Sequence, residues 1–426
     1  MPTALDATTL VLKFFPLVLL FELPVYLIIW LGALLWARDR RRTPPADDYL
    51  PSVSCLVTCY AEGKDVGITI RTLLEQLYPG LIEIIVVVDG AVQNRATYQA
   101  ARDWQAEARS YPMRVLKVLP KRTRGGRVSS LNAARLFARG EIILTLDGDT
   151  SFDNDMVWQV TRPFADPGVG AASGALRLRN AKASLPARLQ ALEYMLSIQL
   201  ARTGLSALGI VNCISGAFGA FHRDLVDRLD GWDAGTAEDL DIVLRIKKRA
   251  GGARSQIVHT PLAMGHTDGP TTWKGFFKQR LRWDGDLYYL YVRKHGRSLK
   301  PSLLGWRNYV MLLWTGIYFQ LIMPFVIVAS TIWMLLSASA ASLLLVLGLV
   351  LAFYTLATLG LFLTYLWLLS ERRAHDWPYL RFIPLFPLFA FATRVWNGFA
   401  TLAELVTRQH LDSSMAPWWV LRKTRF

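Results

Sequence analysis

Two stretches of the chain carry almost no polar residues. From Phe14 to Trp36 the sequence is nearly all apolar, interrupted by Glu22, Pro16 and Pro24. At roughly 1.5 Å per helical residue, that run just crosses a hydrocarbon core of about 30 Å. Arg38-Asp-Arg-Arg-Arg42 follows at once. A signal peptide has its charge before the apolar run and a small-residue cleavage site after it, so the pattern predicts a retained membrane helix over about 14–36. The second stretch, between Arg307 and Glu371, contains no Asp, Glu, Lys or Arg. It predicts two spans, roughly 309–335 and 343–369, joined by Ser337-Ala-Ser-Ala340.

Between these stretches the period changes. Residues 52–60 read as a short strand. Leu81-Ile-Glu-Ile-Ile-Val-Val-Val-Asp89 reads as a parallel strand, because a continuous β-branched run suits a strand covered on both faces. Residues 114–119 and 141–147 read as two more, with helices expected around 69–76, 95–108 and 128–139. This alternation predicts an α/β domain built on an open, mostly parallel, Rossmann-type sheet. Ligands of such sheets bind beyond the carboxyl ends of the strands, where Asp89 and Asp147 stand.

The basic flanks orient the chain. Arg38 to Arg42, Arg297 to Arg307 and Arg372-Arg373 all belong on the cytoplasmic side, which puts the N-terminus outside. The last apolar stretch, 379–405, contains Arg381, Arg394, Pro384 and Pro387 and reads as interfacial or re-entrant. A further crossing there would export the basic end Arg422-Lys-Thr-Arg425. The expected organisation is an N-terminal membrane segment over 1–43 and a cytosolic domain over 44–272. An amphipathic interface segment over 273–307, two spans over 308–370 and an interfacial end over 371–426 complete it.

Composition narrows the partners. The chain has 48 Lys+Arg against 33 Asp+Glu, a net charge of +15, yet only 19% charged and 52% hydrophobic residues. Such an apolar chain is not disordered, and 3 cysteines cannot staple a fold of 426 residues. The charge by itself admits nucleic acid, anionic lipid or a phosphorylated substrate, and the hydropathy favours a membrane.

Four segments carry candidate chemistry. Asp147-Gly-Asp149 ends a buried strand, where two carboxylates around a glycine turn can hold a hard divalent cation, Mg²⁺ or Mn²⁺. The competing reading is loop chemistry, with Thr150 or Ser151 opening a helix near 154–164. Thr236-Ala-Glu-Asp239 precedes an apolar-periodic run and reads either as a capping box or as Asp239 poised as a general base. In Gln279-Arg-Leu-Arg-Trp283, Gln279, Arg282 and Trp283 share one helix face. That face suits a pyrophosphate and a sugar ring, and equally an interfacial helix with snorkelling arginines. Arg122-Thr-Arg-Gly-Gly-Arg127 offers glycine amides and cations to phosphate, without the Lys-Ser/Thr ending of a triphosphatase loop.

In order, Thr58-Cys-Tyr-Ala-Glu62, Val88-Asp-Gly90, Gly126-Arg-Val-Ser-Ser-Leu-Asn132, Asp147-Gly-Asp149, Ser215-Gly216, Ala237-Glu-Asp239 and Gln279–Trp283 resemble the processive membrane-integrated glycosyltransferases of family 2. These include the poly-N-acetylglucosamine, chitin-oligosaccharide, hyaluronan and cellulose synthases. The resemblance covers roughly 50–300 and implies a GT-A-like fold inserted between membrane helices. It implies that Thr58, Tyr60, Glu62, Asp89 and Arg127 contact the UDP-sugar, with Tyr60 and Glu62 at the uracil and Asp89 at base or ribose. Asp147 would contact ribose or metal, Asp149 the metal, and Asp239 would be the catalytic base. Gln279, Arg282 and Trp283 would hold the diphosphate and the terminal sugar of the acceptor, with Ser215, Gly216 and Glu238 lining the acceptor site. Ala61, Ala237 and Arg127 depart from the usual Asn, Thr and Lys, and none removes a charge the chemistry needs.

The function so implied is an inverting β-glycosyltransferase that elongates a polysaccharide at the cytoplasmic face of the cell inner membrane. Its partners would be a UDP-sugar donor, a polysaccharide acceptor and membrane lipids, with no nucleic acid. Three spans make a thin wall for a polymer pore, which leaves three alternatives: a small partner subunit, a homo-oligomer, or no export. The alternatives are a non-processive transferase making a lipid-linked sugar or short oligosaccharide, and a basic membrane-surface binding protein without catalysis.

Overall fold

The apolar runs of the first half become strands covered on both faces. β1 (Val53–Cys59) and β2 (Ile82–Val88) are buried almost throughout, β3 (Arg114–Pro120) is a partly exposed edge, and β4 (Ile142–Asp147) is buried up to Asp147. They pair in parallel in the order β3-β2-β1-β4. This computed structural model describes residues 8–9, 11, 18–42, 48–233, 237–249 and 255–408. The first residues of the expected first span (14–17), the linker Thr43-Pro-Pro, Thr236 of the expected cap and the basic end 422–425 lie outside them.

Successive side chains of a strand point to opposite faces. On one face, Val53, Cys55 and Val57 share a core with Ile70 and Leu73 of α1 (Val66–Leu74) and Ala101 of α2 (Arg95–Glu107). On the other, Leu56, Ile85 and Val87 share a core with Leu131 and Ala134 of α3 (Gly126–Arg135). The register sets Thr58 opposite Asp147, and Asp89 follows Val88, the partner of Cys59. Thr58, Asp89 and Asp147 therefore lie along one sheet edge.

The second half of the sheet reverses direction. β5 (Ser151–Phe152), β6 (Val169–Leu178), β7 (Phe218–His222) and β8 (Gln256–Thr267) complete eight strands in the order β3-β2-β1-β4-β7-β6-β8-β5. β7 is antiparallel to β4 and β6, whereas β8 runs parallel to β6. Gly174 of β6 makes this packing possible, since a Cβ there would stand 2.0 Å from the Phe218 ring. The helix expected near 154–164 is a short one, Met156–Thr161, running into a 3₁₀ turn, Arg162–Ala165.

The remaining helices join the sheet to an apolar bundle. α4 (Leu185–Tyr194) is capped by the Ser184 hydroxyl and runs through a π-wound stretch, Met195–Ala201, into α5 (Arg202–Ala207). Here the domain touches the first apolar helix, Val18–Arg40, backbone to backbone. A Cβ on Gly32 would stand 2.1 Å from the Gly204 carbonyl oxygen, and one on Gly204 2.3 Å from that of Ile29. α6 (Glu238–Lys247) shares the core of α3, and α7 (Trp273–Tyr288) continues as a π-wound segment, Tyr289–Lys294.

Three helices, Val18–Arg40, α8 (Trp306–Ser337) and α9 (Ala340–Leu368), are long and apolar enough to cross a membrane, with mean hydropathies of 2.3, 2.1 and 2.3. α10 (Phe386–Thr407) lies against α7 and α8: Trp396 donates to the Phe277 carbonyl at 2.8 Å and Arg394 to that of Phe319 at 2.6 Å. The loop after α9 is pinned to the sheet. Arg177 of β6 donates to both oxygens of the fully buried Asp376, at 3.2 and 3.0 Å, and Tyr365 and Ser370 donate to it at 2.7 Å.

Candidate active site

At the sheet edge one arginine joins two acids from different elements, Asp147 and Glu238. Arg127, in the first turn of α3, donates to Thr58 Oγ1 at 2.9 Å and to Asp147, and also to the Gly216 carbonyl. Its Nε lies 2.6 Å from Glu238 Oε1. Despite burial, the charges of Asp147 and Glu238 hold the guanidinium pKa above its ordinary value. Arg127 therefore joins β1, β4, the Ser215-Gly216 turn and the start of α6. It sits as a clamp at the centre of the site, with both terminal nitrogens hydrogen-bonded to protein and Nε in ion-pair range of Glu238.

Asp89 is similarly engaged. Lys121 Nζ approaches it at 2.7 Å, and the amides of Gly125 and Gly126 donate to it at 2.9 and 2.8 Å. The glycine amides expected to face phosphate are thus turned onto Asp89. Gly126 adopts φ +77°, the left-handed conformation that this turn requires. Arg124, from the same loop, lies 4.2 Å above the Tyr60 ring and donates to its hydroxyl at 3.2 Å.

Two further carboxyls stand close to Asp147. Burial, and behind it the Asp147 charge, raises the pKa of Asp149. Glu62 accepts the Tyr60 amide at 2.7 Å, yet burial and the charges of Asp149 and Asp147 push it up to about 8. Among the described residues, no three His, Cys, Asp or Glu side chains form a metal cluster. Hard oxygen ligands short of protein charge compensation fit an Mg²⁺- or Mn²⁺-type ion, which binds through one or two carboxylates and takes the rest of its ligands from phosphate and water.

Asp239 stands across the clamp. It occupies the first turn of α6, where the Leu240 amide donates to its Oδ1 at 2.8 Å. Burial raises the pKa of both Asp239 and Glu238. A Cβ on Gly216 would lie 3.3 Å from Asp239 Oδ2 and 3.5 Å from Glu238 Oε1, so the glycine keeps the approach to both acids open. Ser215 is fixed beneath by its amide, which donates to Ser173 Oγ at 3.2 Å.

On its opposite side α6 is built very differently. Asp241 is fully buried and accepts from Arg245 Nε at 2.7 Å, and His295 Nε2 and Lys294 Nζ each lie 2.8 Å from it. Against its burial, His295, Lys294 and Arg245 hold Asp241 down to about 2. These contacts tie α6 to the end of the helix that carries Gln279–Trp283.

That helix divides its own motif. Gln279 accepts from Gln190 of α4 at 2.8 Å, and Arg280 pairs with Glu193 while its guanidinium lies 5.0 Å from the Trp283 ring centre. Arg282 is partly buried and makes no ion pair or hydrogen bond among the described residues. Neither Gln279 nor Arg282 contacts the carboxylate cluster. Sequence reasoning did not single out Lys121, Gln190, Glu193 or Asp241. For Gln190 and Glu193 a signal existed, since they stand at i and i+3 on an amphipathic stretch, but their partners lie 89 and 87 residues away.

Comparison with known proteins identifies the family of the chain. Residues 51–285 match the family described as glycosyltransferase like family 2. The chain is 28% identical over 278 residues to poly-beta-1,6-N-acetyl-D-glucosamine synthase of Staphylococcus aureus (strain COL), covering 63% of this chain and 64% of that protein. It is 28% identical over 255 residues to the synthase of the same name from Staphylococcus epidermidis, covering 59% and 58%. The chain thus spans less than two thirds of the length of the curated relatives it matches. A mannosyltransferase from Pyrobaculum calidifontis, solved with GDP-Man and Mn²⁺, shares the fold with a TM-score of 0.58 at 20% identity, over 90% of this chain and 99% of that one. With the family match extending over more than half of its residues, the chain belongs to glycosyltransferase like family 2.

Proposed function

We propose that the protein is an inverting β-glycosyltransferase that passes a sugar from a UDP-sugar to the end of a growing polysaccharide at the cytoplasmic face of the cell inner membrane. The observation that carries this reading is Asp239 standing against Gly216, across the Arg127 clamp from the Asp147-Gly-Asp149 edge. In it, residues 44–272 are the cytosolic catalytic domain, 273–307 lie at the interface, and the three apolar helices cross the membrane with the N-terminus outside. The staphylococcal relatives make UDP-N-acetylglucosamine the first donor to try. Export of the polymer would draw on a partner subunit or a second copy.

Asp239 accepts the proton of an acceptor hydroxyl. The freed oxygen bonds to the anomeric carbon as the bond from that carbon to the β-phosphate oxygen breaks, and UDP leaves with the electron pair. A single displacement inverts the centre, so an α-linked donor gives a β-glycoside. Burial raises the proton affinity of Asp239, the direction that favours a general base. Arg282, which pairs with no carboxylate among the described residues, is the cation available to the diphosphate, while Arg127 holds donor and acceptor edges in register. Asp149, with Asp147, would hold Mg²⁺ or Mn²⁺, which when bound supplies positive charge opposite the leaving diphosphate.

The test gives the full chain, in membranes, a panel of radiolabelled UDP-sugars with Mn²⁺ or Mg²⁺ and sizes the product on a gel. Label from one donor in long polymer is the expected result. Label confined to a single lipid-linked sugar would replace the polymer reading by the non-processive one, and full activity in Asp239→Asn would remove the base assignment.

A further inference from the structure

A second concave site lies away from the carboxylate edge, where the loop after α9 meets the start of α4. It is a cavity of about 260 Å³ whose lining includes Lys182, Arg188, His375, Tyr379, Arg381 and Phe382. Among the described residues no carboxylate pairs with its cations Lys182, Arg188 and Arg381: Arg188 donates to the Lys182 carbonyl at 3.1 Å, and Arg381 lies 4.9 Å from the Phe382 ring centre. The nearby acid, Asp376, is fully buried and already accepts from Arg177, Tyr365 and Ser370, with His375 Nδ1 at 3.3 Å.

The surroundings say where the cavity sits. It begins six residues after the last residue of α9, at Ala374, and is bordered by the 3₁₀ segment Trp377–Leu385. Trp377 is 58% exposed and Leu388 54%, and the outward apolar series continues along α10 through Phe391, Val395, Phe399 and Leu402. An exposed Trp followed by an apolar stripe at helical spacing is the pattern of a segment lying at the headgroup level of a bilayer. Unpaired cations beside apolar walls at that level match a phosphodiester carrying acyl chains. The volume is below the roughly 300–1,000 Å³ of pockets that enclose drug-sized ligands, too small for a nucleotide sugar and suited to a headgroup.

We propose that Lys182, Arg188 and Arg381 seat the phosphate of an anionic phospholipid headgroup from the cytoplasmic leaflet. Tyr379 and Phe382 meet the start of the acyl region. The inference rests on the reading that α9 crosses the membrane and ends at the cytoplasmic face. It also gives the lipid a mechanical address, because Lys182 and Arg188 flank the first turn of α4, the helix whose Gln190 holds Gln279.

The experiment is native mass spectrometry of the full chain in detergent, titrated with phosphatidylglycerol, phosphatidylcholine or inorganic phosphate. The variants are Lys182→Ala/Arg188→Ala/Arg381→Ala and a charge-matched control at exposed positions of α2 and the 3₁₀ turn after it, Arg95→Ala/Arg102→Ala/Arg109→Ala. Each cation near an anionic lipid is worth about fivefold in binding, so the first variant should lose on the order of 100-fold in phosphatidylglycerol affinity and the control almost none. Equal loss in both variants, or equal binding of phosphatidylcholine and phosphatidylglycerol by the wild type, would overturn the site. Inorganic phosphate that binds as tightly as phosphatidylglycerol and displaces it would assign the cations to a free anion and overturn the lipid source. Carbonate extraction separates the underlying reading: release of the wild-type chain from membranes breaks the topology, whereas retention together with undiminished lipid binding in the triple variant breaks this site alone.

Discussion

Asp239 and Asp241 stand two residues apart on one helix and live under opposite electrostatic regimes. Asp239 lies beside Glu238, which Arg127 joins to Asp147, and burial drives its proton affinity up against the charges of Arg127 and Arg202. Asp241 sits behind it among Lys294, His295 and Arg245, and is held down to about 2. The helix is common to both, and Asp241, though buried too, is held down by three cationic partners that Asp239 lacks. Unbalanced carboxylates mark where a ligand's charge belongs, and balanced ones mark scaffold.

The strongest way to break this contrast is to exchange the consequences. Asp239→Asn preserves shape but removes the proton acceptor, so sugar transfer should fall by about 10²–10⁴-fold, with the melting temperature of the purified protein almost unchanged. Asp241→Ala should do the reverse. Removing one partner of a buried ion cluster costs about 3–5 kcal/mol, read as a large fall in Tm, while the molecules that remain folded keep most of their specific activity. If both substitutions lower Tm alike, the division into site and scaffold is wrong.

Acid should separate the two carboxylates without mutation. The pKa of Asp241 is lowered on folding from 3.8 to about 2, so its stabilising contribution is complete above about pH 4 and is lost as pH falls from there towards 2. The folded pKa of Asp239 is raised, so it takes up its proton at higher pH, and transfer should decline while the protein is still folded. Transfer rate and thermal unfolding measured over one pH series check this, and a coincident loss of both would erase the distinction.

A smaller effect tests the charge deficit itself. UDP with Mn²⁺ should raise Tm, by an amount equivalent to about 2.7 kcal/mol at a hundredfold excess over Kd. EDTA or Asp149→Asn should remove most of that rise, and a rise that survives both would detach the acid pair from metal. The smallest change is Gly216→Ala, whose methyl would stand 3.3 Å from Asp239 Oδ2. Transfer should drop by up to about tenfold, with stability within the usual ±0.5 kcal/mol of a non-core substitution.

The parallel half of the sheet was legible because each strand is buried on two faces and announces itself as an unbroken β-branched run between helices. β1, β2 and β4 fall within the expected stretches, and β3 runs one residue past its own, to Pro120. The antiparallel half was not. β6 is rich in glycine and alanine, with Gly174 present only to admit Phe218, and β7 has five residues, too few to show a period. The same limit applies to the site. Asp147, Asp149 and Asp239 stand out through strand ends and motif order, and the sheet register does gather Thr58, Asp89 and Asp147 on one edge. The clamp was invisible, because Arg127 reads as one more cation in a basic loop until its partners, 89 residues away at Gly216 and farther at Glu238, fold onto it. Side-chain pairing across such separations leaves no periodic trace in a single sequence.

The glycine contact between the first apolar helix and α5 has a consequence for biogenesis. Gly32 is synthesised early, and its docking partner Gly204 follows about 170 residues later, a delay on the order of 10–30 s at ordinary translation speeds. During that interval the first helix has no catalytic domain to lean on, and no side chain on either glycine can hold the place open. Completion of the domain is then an event in which a newly made helix finds a waiting one. A replacement leader or an unrelated anchor, even one of equal hydropathy, would deliver the chain to the bilayer and leave the domain without the flat backbone surface on which α5 comes to rest.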